Sequence, residues 1–171
     1  MANIVEFMNE AVFDADVLSV QSATPLDDGY VGILDGLESG ERDLYTIVPA
    51  NDVTTDEVVM VVGAEVYIDA NGMRVPLHNK ASFTYVADRP IRAYRLRTGM
   101  RFKISNTAIT GTPVLDQFIV PQNSAFGLAI AATLAGGTRV AFVVEETGAT
   151  VNIFTGKTLV PATIVRVVKG V

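Results

Sequence analysis

The chain holds one histidine, His78, in the segment RVPLHNK, and no cysteine. The missing cysteines remove thiolate nucleophiles, Cys-based metal sites and a disulfide framework together. A Ser-His-Asp site needs an activated serine within reach of the imidazole, and no G-x-S-x-G elbow is present. No G-x-G-x-x-G, P-loop or H-E-x-x-H pattern occurs. His78 therefore reads as a solvated loop side chain. Acids are more plentiful: DAD at Asp14–Asp16, the pair Asp27 and Asp28, and DVTTDE at Asp52–Glu57. None has the graded ligand spacing of a calcium loop, so they read as solvated acidic surface. Nineteen acids make any choice of a glycosidase pair arbitrary. The expectation is a chain with no catalytic residues, no metal ligands and no cofactor.

The basic residues are more informative. RPIRAYRLRTGMRFKIS, Arg89 to Ser105, carries six of the thirteen Lys and Arg residues in a protein of net charge −6. Residues 1–70 hold fifteen acids and one base, Arg42, whereas residues 71–171 hold twelve bases and four acids. Such a division prompts a search for what the positive half meets. Nucleic acid, an acidic protein surface, and the chain's own acidic half are the three candidates. Nucleic-acid readers combine basic patches with stacking aromatics and a basic pI. Here the pI is about 4.7, and Tyr94 and Phe102 alternate away from the arginines. No nucleic-acid partner is expected, and mutual neutralisation of the two halves has the largest share.

Alternation identifies the element that carries these cations. Tyr94, Leu96, Met100, Phe102 and Ile104 fall on one side; Arg95, Arg97, Arg101 and Lys103 fall on the other. A period of two is that of a strand with an apolar side in and a basic side out. A three-residue loop at Arg97-Thr98-Gly99 keeps the faces clean in a hairpin and places Gly99 at the left-handed position. It sets Arg95 opposite Arg101, a mildly unfavourable like-charge pair. Arg95, Arg97, Arg101 and Lys103 are the candidate partner-binding face.

The rest of the chain fits such an element. Clusters of Gly, Pro, Asp and Asn recur at short intervals between runs of Val, Ile, Tyr, Phe and Thr, as in many short strands joined by tight turns. EVVMVVGAEVYI, TRVAFVVEE and PATIVRVVKG read as strands buried on both faces. Hairpins are predicted around Asn71-Gly72 and Thr147-Gly148. Ile4, Val5, Met8, Ala11 and Val12 have helix-like spacing, so residues 1–20 are expected to form an arm or short helix. Residues 21–171 are expected to form a single mainly-β domain, a small barrel or sandwich, with two sub-regions dividing near 105–120. No apolar run is long enough for a spanning helix, and no basic region precedes the first apolar residues as in a secretory signal; no membrane partner is expected. Apolar residues reach 49% and mean hydropathy is +0.34. This suits either a well-filled core or surfaces that bury on assembly.

The order MANIVEF, DGYVGILDGLESGERDLYTI, EVVMVVGAEVYI and RPIRAYRLRTGMRFKIS resembles the head decoration (auxiliary capsid, cement) proteins of tailed bacteriophages. The long C-terminal segment closing in ATIVRVV is similar to their small β-barrel part. The resemblance touches most of the chain as an ordering of segments, with RAYRLRTGMRF the most specific. It implies a non-enzymatic virion protein made in the host cytoplasm. Such a protein binds the outside of the assembled head and reinforces it, with the major capsid protein, copies of itself, or both as partners. A trimer is implied by family analogy only. Two other classes stay open: a self-assembling tail-tube or head–tail joining subunit, and a ligand-binding β-domain. The absence of tryptophan, a common sugar platform, weighs against the last.

Overall fold

The structure, a computed structural model, describes residues 3–8, 16–63, 66–68, 74–76, 84–134, 137–152 and 159–170. It is mainly β. Five strands, β2 (Val17–Gln21), β3 (Val31–Leu37), β4 (Leu44–Val48), β5 (Val58–Val61) and β8 (Ile91–Arg95), close into a barrel in the order β2-β4-β3-β5-β8. A seven-stranded sheet holds β1 (Val5–Phe7), β9 (Arg101–Ser105), β10 (Ile109–Thr110), β11 (Phe118–Pro121), β12 (Leu128–Ala131), β13 (Ala141–Asn152) and β14 (Leu159–Lys169). Its order is β1-β9-β14-β13-β11-β12-β10. The remaining pair, β6 (Val66–Ile68) and β7 (Arg74–Pro76), forms a separate antiparallel ribbon.

The β-branched run of β5 explains how barrel and sheet meet. All four of its residues are buried. Val59 and Val61 point into the barrel with Val20, Leu26, Ile47 and Ala93. Val58 and Met60 point outward, into a cluster shared with Phe102, Ile104, Phe142, Val144 and Val165 of the sheet. Each such side chain contributes about 1.5–3 kcal/mol of burial, so β5 ties the two sheets together from both faces. Phe102 sits at the centre of the shared core, 4.8 Å from the Phe7 ring and 6.4 Å from the Phe142 ring between centroids.

Three sequence expectations are corrected. Residues 4–8 do not show the helical periodicity: Val5, Glu6 and Phe7 pair with Ile104, Lys103 and Phe102. Val5 and Phe7 face the core while Glu6 faces Lys103, an alternation of two; Ala11 and Val12 lie outside the described residues. Thr147-Gly148 makes no hairpin turn. β13 continues through it against β14, and the register shifts on either side of Glu146. Gly148, at φ +78°, supplies the single left-handed residue that a bulge needs. Third, β8 and β9 are not a hairpin: β8 pairs with β2 and β5, and β9 with β1 and β14. The residues Asn71 and Gly72 lie outside the described set.

Candidate interaction surface

The candidate cations lie where the chain passes from barrel to sheet. The carbonyl of Arg97 accepts the amide of Met100 at 3.1 Å, which closes a tight turn with Thr98 and Gly99 at its centre in place of the three-residue hairpin loop expected at Arg97-Thr98-Gly99; Gly99 has the expected left-handed conformation, φ +95°. The turn serves as a corner between two sheets. The C-terminal strand fixes it: Gly99 N–H donates to the Val167 carbonyl and Val167 N–H to the Met100 carbonyl, both at 2.8 Å. The expected apolar side is buried in full, with Tyr94, Leu96, Met100, Phe102 and Ile104 in the shared core. Because the strands lie in different sheets, the like-charge pairing of Arg95 across from Arg101 does not arise.

Each of the four candidate cations meets a carboxylate of its own chain. Arg95 Nε donates to Glu57 at 2.9 Å, and Arg97 Nε to Asp16. Arg101 Nε donates to Glu145 Oε2 at 2.7 Å, and Lys103 lies 3.7 Å from Glu6. Three of these acids belong to the N-terminal half, so the charge division along the sequence is compensated within the fold. The pairs differ in setting. Asp16 is 1% exposed, and its second oxygen, Oδ1, has no hydrogen-bond partner among the described residues. Hydrogen bonding to Asp16, reinforced by its charge, raises the Arg97 guanidinium further above its ordinary value. The remaining pairs are partly exposed, where an ion pair is worth little in isolation.

Glu145 is a junction. Its Oε1 also accepts from Arg166 Nε at 2.6 Å, so one carboxylate serves two guanidiniums on neighbouring strands that stand opposite in register. Hydrogen bonding to Arg166, then to Arg101, holds the Glu145 carboxyl below its usual range, against partial desolvation. Asp16 and Glu57 belong to the acidic runs read from the sequence as solvated surface; Asp16 is instead buried, 1% exposed, and both bind arginines of the basic stretch. Glu6, Glu145 and Arg166 were not singled out from the sequence.

A second polar cluster sits at the barrel end. Tyr85 Oη donates to Asp28 Oδ1 at 3.0 Å, and Gly63 N–H donates to the same oxygen at 2.8 Å. Burial, then the neighbouring Asp28 charge, pushes the Tyr85 phenol well above its ordinary value. The phenol stays neutral and works as a latch across the two chain ends from which the β6–β7 ribbon departs. Asp52 and Asp56 are occupied in their own loop, accepting from the amides of Thr54, Asn51 and Asp52; Asp14 and His78 lie outside the described residues. Among the described residues, no group of three or more His, Asp or Glu side chains is placed to hold a metal ion, and no helix is long and apolar enough to cross a membrane. No family model, curated protein or solved structure matches the chain.

Proposed function

We propose that this protein is a non-enzymatic virion component that binds the outer surface of an assembled phage head and stabilises it. The observation that carries the reading is the Arg89–Ser105 stretch. It is the segment of most specific resemblance to head decoration proteins, and its cations lie along the surface of the barrel-to-sheet corner. With Arg95, Arg97, Arg101 and Lys103 each meeting a carboxylate, a partner meets a ridge of ion pairs. Such a ridge favours a polar protein surface that can exchange into the pairs over the dense charge of nucleic acid. The partners in this reading are the major capsid protein and copies of the chain itself. The barrel interior is filled by Val20, Leu26, Ile47, Val59, Val61 and Ala93, which weighs against a ligand-binding barrel. A tail-tube or head–tail joining subunit is the second reading, favoured by the opposed charge of the two halves, which suits stacking of identical copies. Heads that lack the protein, heated with and without it while DNA release is followed by dye fluorescence, test the first reading. Release should move to higher temperature, and an unchanged release curve at saturating protein contradicts it.

A further inference from the structure

The two longest strands of the sheet run on past their neighbours. β9 pairs with β14 as far as Ala162, opposite Ser105. β11 leaves β13 at Val144, which donates to the Gln117 carbonyl at 2.9 Å and accepts the Asp116 amide at 3.0 Å. Beyond these points β13 and β14 continue as a two-stranded ribbon, paired from Ala149↔Ala162 to Asn152↔Leu159 with no register shift. One face of the ribbon is closed: Val151, Val160 and Ala162 pack with Ile4 in a small buried cluster. The residues between them point the other way, and that face is open and uncharged, with Thr150 and Pro161 exposed and Leu159 61% exposed.

Hydrogen-bond parity decides which backbone groups the ribbon leaves outward. Val167 faces β9: Gly99 N–H donates to its carbonyl and its own N–H donates to the Met100 carbonyl, both at 2.8 Å. Successive residues of a strand turn these groups to opposite sides. Val165 and Thr163 therefore also face β9, whereas Ala162 and Val160 face β13 and bond to Ala149 and Val151. Pro161 falls on the outer edge of β14, beyond the end of β9, where a residue without an N–H blunts the edge. On β13 the outward groups are those of Thr150 and Asn152. Neither proline nor charge guards them, since residues 147–152 read TGATVN, and among the described residues no strand pairs with this edge.

We propose that a second copy of this chain covers the edge, β13 against β13 about a twofold axis. An antiparallel edge is complementary to itself under that symmetry. With the axis at Val151, Thr150 of each copy bonds to Asn152 of the other, and the two ribbons join as one intermolecular sheet. Residues 147–152 are uncharged in both copies, so no like-charge opposition arises among them. Leu159 and Pro161 of both copies come onto one continuous face. This deepens the reading above by naming the surface through which copies associate, and rests on it for the expectation that they do.

Sedimentation velocity over a concentration series tests the contact, and the native chain should dimerise. Thr150→Pro removes an outward donor and no internal bond, because the Thr150 amide faces away from β14 and proline is tolerated on an edge. The variant should keep the native circular dichroism and dimerise at least about tenfold more weakly. A native chain that stays monomeric overturns the contact, as does a folded Thr150→Pro chain that dimerises like the native one. Amide hydrogen exchange of the native chain gives a second readout that needs no variant. The Thr150 and Asn152 amides should exchange fast in dilute protein and slow by at least about tenfold as the dimer forms. The Val151 amide, held by Val160, should stay protected at every concentration. Equal exchange at Thr150 and Asn152 across the series overturns the contact. Should the native chain be monomeric while Thr150→Pro loses binding to heads, the edge takes a strand of the head and the self-pairing is wrong. A monomeric native chain that still binds heads defeats this contact alone. A dimer that binds no heads defeats the decoration reading alone.

Discussion

Replacing Glu145 by Gln should destabilise the fold in a manner set by pH and salt. The carboxylate accepts from Arg101 at 2.7 Å and from Arg166 at 2.6 Å, through different oxygens. Gln keeps one acceptor and turns an NH2 group toward the other guanidinium, so one bond is replaced by a donor facing a donor. Each lost charge-assisted bond is discounted for partial exposure to about 0.5–1 kcal/mol. The like-charge Arg101–Arg166 cross-strand pair, no longer bridged by a shared carboxylate, adds about 0.2–1 kcal/mol. The total is about 0.7–2 kcal/mol, or about 1.5–8 °C in Tm for a domain of this size. The sign with pH follows from the depressed folded pKa of Glu145. Its contribution is present above the unfolded carboxyl value of 4.5 and is lost as pH falls through the folded value. The Tm gap between native and variant chains should therefore be widest near neutrality and close in acid. It should also narrow at about 1 M salt, where the screening length is about 3 Å. Thermal unfolding followed by circular dichroism across pH and salt reads all of this. Equal Tm at neutral pH, or a gap that persists unchanged into acid, refutes the assignment of Glu145 as the shared acceptor.

Other outcomes follow from the same structure. Gly63→Ala would place a Cβ 1.4 Å from Tyr85 Oη. The ring must swing away and surrender its bond to Asp28, so a loss of about 2–5 kcal/mol is expected in chemical denaturation, and a loss under about 1 kcal/mol speaks against the latch. Phe102→Ala empties the centre of the core shared by barrel and sheet, at a cost of about 3–5 kcal/mol; a near-neutral result would mean that the two sheets do not rely on that core. Arg97→Ser should lower Tm more than Arg95→Ser, because Asp16 is buried and Glu57 is not; the reverse order contradicts the placement of Asp16.

The alternation in Tyr94–Ile104 was legible because a period of two survives even when the strand turns a corner. The sorting of apolar and basic side chains there was read correctly, yet the pairing partners were not. A Thr-Gly turn looks the same in a hairpin and in a passage between sheets, and what separates them is the C-terminal strand bonding to the turn at Val167, some seventy residues away. Thr147-Gly148 failed for a related reason. One left-handed glycine serves a bulge as well as a turn, and the length of the partner strand decides which. At the N-terminus, Ile4, Val5 and Met8 fit a helical spacing, but Val5, Glu6 and Phe7 fit a strand equally, and a segment so short is settled by its partner β9. The pairing of the basic row with its acids was not legible: Asp16 and Glu57 stood in runs read as solvated surface, Glu145 lies in the basic half, and the three stand 81, 38 and 44 positions from the arginines they bind.

The most direct test of the decoration reading is co-sedimentation of the purified protein with phage heads that lack it, over a series of salt concentrations. Saturable binding at a fixed stoichiometry, weakening as salt rises, is the expected result, because the corner carries partly exposed ion pairs that salt screens. Failure to bind at any salt, with rings or tubes forming from the protein alone, would contradict it and select a tail or joining subunit instead.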